Sequence, residues 1–75
     1  MQPYTDRGGD TTVIGFEDGD DFIRIQYRDG AILEFRVGEV SAAHVLNLRQ
    51  LAQLGEGLQS YLSRHVSTRL ARRIK

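Results

Sequence analysis

The chain has no cysteine, no tryptophan, a single proline and no net charge of either sign. Without cysteine there is no disulfide framework, no thiolate nucleophile and no zinc centre of the usual cysteine-containing kinds, so packing alone must hold the fold. No apolar run is long enough to cross a bilayer, and Met1 to Asp10 lack the basic and apolar regions of a signal peptide. The expectation is a cytoplasmic protein with no membrane contact. No nucleotide, metal or catalytic signature stands out, so no cofactor, no small-molecule substrate and no enzymatic activity are expected.

What is present is the composition of a globular chain: 40% hydrophobic and 27% charged residues over 75 positions. That length allows one domain, which buries only about 60% of its unfolded surface. The zero net charge conceals a polarity. Residues 1–40 hold nine acids against four arginines, whereas residues 41–75 hold six bases against Glu56 alone. The simplest consequence is mutual attraction of the two halves, or of two copies.

Residues 1–10 join Pro3, Gly8 and Gly9 to polar side chains with one large apolar residue, Tyr4, which reads as a flexible arm. From Thr11 to Val37, β-branched and aromatic runs alternate with Asp18-Gly19 and Asp29-Gly30, the pattern of a three-stranded antiparallel meander. Side-chain alternation decides the register. A two-residue Asp29-Gly30 loop would pair Ile25 with Glu34 and Ile23 with Arg36, mixing charge into the apolar face. A three-residue loop, Arg28-Asp29-Gly30 with Gly30 left-handed, sets Tyr27 against Ala31, Ile25 against Leu33 and Ile23 against Phe35. It also sets Arg24 against Glu34 on the other face. For the first connection, a Gly19-Asp20 loop pairs Phe16 with Ile23, Ile14 with Ile25 and Thr12 with Tyr27.

Ser41 is a favoured N-cap for a helix in which Ala42, Val45, Leu46, Leu48 and Ala52 recur at helical spacing, closed by Gly55 and Gly57. A second helix begins near Leu58 with Tyr61, Leu62 and Val66, and runs toward Leu70 through a fraying half containing Ser67 and Thr68. The expected fold is therefore α+β: a three-stranded antiparallel meander followed by two α-helices packed on one face. The expected limits are an arm over 1–10, a single domain over 11–66 and a basic helix end or tail over 67–75.

Ile14-Gly15-Phe16, the strand from Ile23 to Tyr27, Gly30 at the turn, Leu33-Glu34-Phe35, and a helix leading to Gly55 and Gly57 together resemble the KTSC domain. That short family is named for the C-terminus of some lysyl-tRNA synthetases and also occurs as free-standing small proteins. The resemblance covers most of the chain and implies a βββαα domain; through the synthetase setting it implies contact with RNA. The family's Tyr-x-Tyr reads Leu33-Glu34-Phe35 here, so any role of those hydroxyls is not carried over.

His44 and His65 are the conventional acid–base side chains, yet Glu56 is the only acid in their half of the chain, too little for a hydrolytic set. Asp18, Asp20 and Asp21 lack the glycine and bidentate glutamate of a calcium loop, and turn chemistry accounts for them. Two surfaces remain. The outer sheet face is expected to show Val13, Phe22 and Ile32 beside Arg24, Gln26 and Arg36, an apolar patch ringed by arginine that suits a protein partner or a homodimer. The basic run Arg64, Arg69, Arg72, Arg73 and Lys75 offers a phosphate-tracking surface, the alternative of RNA or single-stranded nucleic acid.

Overall fold

The computed structural model describes residues 1–9 and 12–75. Asp10 of the expected arm and Thr11, the expected first residue of the domain, lie outside the described residues. Strands β1 (Gln2–Pro3), β2 (Val13–Asp18), β3 (Phe22–Tyr27), β4 (Ile32–Arg36) and β5 (Arg72–Arg73) form one antiparallel sheet in sequence order. Helices α1 (Ala42–Leu54) and α2 (Leu58–His65) and a 3-10 turn (Thr68–Leu70) lie between β4 and β5.

The β3–β4 hairpin has the three-residue loop. Ile23 pairs with Phe35, Ile25 with Leu33 and Arg24 with Glu34, while the Tyr27 amide donates to the Ala31 carbonyl at 2.8 Å. Gly30 has φ of 95°, a conformation glycine adopts without steric cost. The Asp29 carboxylate accepts from the Ala31 amide at 3.0 Å, which locks the turn from inside.

The first hairpin differs from expectation. Phe16 pairs with Ile25 rather than Ile23, and the Gly19 amide donates to the Phe22 carbonyl at 3.0 Å, so Asp20-Asp21 is the loop. That shift of two residues leaves the faces unchanged. A bulge between Val13 and Gly15 does change them: it turns Val13 inward, 2% exposed, and leaves Ile14 outward, 43% exposed. Alternation with an unbroken period of two assigns these neighbours the opposite way. The register also sends the Asp18 carboxylate toward α1, where Arg49 and Gln53 donate to it at 3.2 and 3.1 Å.

Among the described residues there are five strands where three are expected, because both terminal segments join the sheet. Tyr4 is buried, and its hydroxyl accepts from the Leu58 amide at 3.2 Å. Leu58 opens α2, whose N-cap Gly57 has no side chain with which to cap it; the segment read as an arm supplies that acceptor. At the other end, Ser67 caps the 3-10 turn and Arg72-Arg73 pair with Glu34 and Leu33, so 67–75 is not a helix end. The extended backbone of β-branched Val66 stops α2, and β5 satisfies part of the free edge of β4.

α1 begins at Ser41, whose hydroxyl accepts from the His44 amide at 3.2 Å, and ends at left-handed Gly55. Val45, Leu48 and Ala52 of α1 and Leu58 and Leu62 of α2 meet Val13, Phe16, Ile23, Ile25 and Phe35 in one core. Both helices therefore cover the inner face. Tyr4→Phe is expected to lower stability by about 1 kcal/mol, because it strands a buried amide at the start of α2. Urea denaturation measures the loss, and exchange of the Leu58 amide should accelerate with it.

Candidate interaction face

The outer face of β2, β3 and β4 carries alternating residues that contribute nothing to the core. Glu34 is at its centre. Its Oε1 accepts from Arg24 Nε at 2.9 Å and its Oε2 from Arg36 Nε at 3.2 Å. Arg24 also reaches Glu17 at 2.9 Å, and Arg36 reaches Asp21 at 3.5 Å. Although Glu34 points away from the core it is only 3% exposed, because the two arginine side chains lie over it. Those arginines are themselves about one third exposed, so solvent still screens the pairs.

The Arg36 guanidinium, with that of Arg24 adding to it, holds the Glu34 carboxyl below the usual carboxylate range against an opposing push from burial. Glu34 in turn raises both arginines. Both guanidiniums also lie over the Phe22 ring, at 5.0 and 5.1 Å from its centroid. Two carboxylate-anchored cations thus hold one aromatic ring in place on an open sheet face.

Gly19 makes room for that ring. A Cβ at position 19 would lie 2.2 Å from an edge carbon of Phe22, too close for both to remain. We expect Gly19→Ala to leave the core intact and to push the ring off the arginines. The measurement is the upfield ring-current shift of the Arg24 and Arg36 side-chain protons, which should collapse in the variant.

Phe22, Arg24, Gln26, Ile32 and Arg36 share this face as expected. Val13 does not, since the bulge places it in the core. The second contact of Glu34, to Arg36, went unread in the sequence, although the spacing of two residues places both on one face. The basic run is dispersed: Arg64 is in the last turn of α2, Arg69 is in the 3-10 turn, Arg72 and Arg73 alternate along β5, and Lys75 follows. Arg72 is tied to Glu39 at 3.4 Å. With Arg49–Asp18 at 3.2 Å, this pair joins the basic half of the chain to the acidic half.

The histidines meet on α1 and α2. His44 Nδ1 is 2.7 Å from the Tyr61 hydroxyl, which also accepts from Asn47 at 3.0 Å, and the His65 ring packs 4.8 Å from the Tyr61 ring. Among the described residues no carboxylate bonds either histidine, so the cluster joins two helices without an orienting acid.

At the hairpin end of the inner face, Tyr27, Ala31 and Leu33 floor a groove of about 620 Å³. Burial, reinforced by Asp29, raises the Tyr27 phenol above its ordinary value, so it remains a hydrogen-bond donor there.

No family model matches the chain, and neither the curated proteins nor the solved structures contain a match.

Proposed function

We propose that the protein is a small non-enzymatic interaction module that binds a protein partner, a second copy of itself included, through the outer face of its sheet. The observation that carries this reading is the Phe22 ring under two arginines, both anchored by buried Glu34. Side chains already ordered in the free protein lose little entropy on binding, and an aromatic beside arginine is the composition of energetic centres in interfaces. Gln26 and Ile32 extend the same face, and both helices lie on the other side.

Light scattering of the purified chain, with retention of partners from lysate, tests this. The wild type should show a dimer mass or retain a defined protein, and Phe22→Glu should abolish that while its circular dichroism stays unchanged. A strict monomer that retains nothing, with or without the substitution, contradicts it.

A second reading is an RNA or single-stranded nucleic-acid module. Arg64, Arg69, Arg73 and Lys75 have no carboxylate partner among the described residues, so their charge is free to meet phosphate. The resemblance to the KTSC domain points the same way. Binding to mixed RNA should then weaken steeply as salt rises; absence of binding at low ionic strength removes this reading.

A further inference from the structure

The groove at the hairpin end lies apart from the outer sheet face and takes only Arg73 from the basic run. Its floor is apolar, made by Tyr27, Ala31 and Leu33 of the inner sheet face beyond the reach of α1. Its walls carry two cations, Arg28 from the hairpin turn and Arg73 from β5. Every arginine on the outer sheet face, together with Arg49 and Arg72, is engaged by a carboxylate. Arg28 and Arg73 have no carboxylate partner among the described residues, yet they line the same concavity.

Gln59 of α2 supplies a third feature. Its Nε2 donates to Ser63 at 3.3 Å, while its Oε1 is buried with no hydrogen-bond partner among the described residues. Such an atom carries the full desolvation cost of an unmet acceptor. Gln59 lines the groove, and turning its amide away from Ser63 would bring this acceptor to a ligand with a donor. The volume of about 620 Å³ is within the usual range of small-molecule sites.

A complementary ligand joins a flat ring, for the Tyr27 and Leu33 floor, to an anion for two guanidiniums and to an N–H or O–H donor for Gln59. We propose that this groove binds a nucleoside monophosphate unit. The ring covers the floor, the phosphate meets Arg28 and Arg73, and the base or ribose donors engage Gln59 and Asp29. This site is independent of the outer face, so Phe22→Glu leaves it unchanged.

The test is an amide-resolved NMR titration of the full chain with adenosine 5′-monophosphate, adenosine, inorganic phosphate and a 5′-phosphorylated oligoadenylate. The monophosphate should give saturable shifts at Ala31, Gln59 and Arg73, about tenfold tighter than either fragment. Equal or tighter binding of the oligoadenylate supports the site with an RNA end as its source; weaker binding supports it with the free nucleotide. Arg28→Ala and Arg73→Ala should each weaken binding about tenfold, with Arg7→Ala, exposed and outside the groove, as an unaffected control. Gln59→Leu separates ligand binding from folding, since it should raise the thermal midpoint by removing the unmet acceptor while weakening the nucleotide several-fold. Should Arg73→Ala disturb β5, Arg28→Ala in the exposed turn still decides. No saturable shift up to about 10 mM, or binding indifferent to Arg28 and Gln59, overturns the proposal.

Discussion

Phe35→Ala is expected to remove most of the stability of the folded chain. Phe35 has no exposed surface, is cross-strand from Ile23 and packs in the core cluster with Val45, Leu48 and Leu58 of the helices. Truncating a buried phenylalanine costs about 3–5 kcal/mol, from lost transfer energy and from the cavity left behind. A domain of 75 residues holds roughly 4–11 kcal/mol in total. No disulfide supplements that core, because the chain has no cysteine. In urea the transition midpoint should fall steeply, with the variant partly unfolded in buffer. A loss under about 1 kcal/mol would mean that the inner face is not the core.

Glu34→Gln should have the next largest effect, about 2 kcal/mol at neutral pH. The amide keeps one acceptor, but its NH2 then faces an arginine donor, and two guanidiniums stay close together without their central anion. Screening at the exposed arginine heads keeps the loss below that of a fully buried pair. The pH dependence has a definite sign. The folded-state pKa of Glu34 is lowered, so its contribution is complete above the unfolded value near 4.3 and is lost as pH falls through the folded value. Wild type and variant should therefore differ at pH 7 and converge in acid. A gap that persists below the folded value would assign the loss to packing rather than charge.

The second hairpin was legible in the sequence because two constraints agreed. The apolar set Ile23, Ile25, Leu33 and Phe35 and the pair Arg24–Glu34 select the same three-residue turn, and Gly30 fits it. The first hairpin carried less information. Its bulge needs one extra residue in β2, and Val13 and Ile14 are both β-branched, so nothing in their chemistry shows which turns inward. The terminal strands are two residues long, below the length at which alternation is visible. The role of Tyr4 as acceptor for the Leu58 amide spans 54 positions and leaves no local trace.

The candidate face was legible for the same reason as its hairpin. Phe22, Arg24, Gln26, Ile32 and Arg36 follow the period of two that places Ile23 and Ile25 inside. An unbroken strand would place Val13 there too, and the bulge between Val13 and Gly15 turns it inward. The groove was not legible at all, because Arg28, Gln59 and Arg73 come from three elements that only the fifth strand brings together.

The central claim is that the outer sheet face meets a partner, and site-directed cross-linking tests it most directly. Gln26→Cys places the only thiol of the molecule beside Ile32 on that face, and Leu46→Cys places one on the exposed side of α1 as a control. With a thiol-attached photocross-linker in cells, position 26 should yield one discrete heavier species, absent at position 46 and lost when Phe22→Glu is added. Equal labelling at both positions, or no discrete species at position 26, would contradict the assignment of this face.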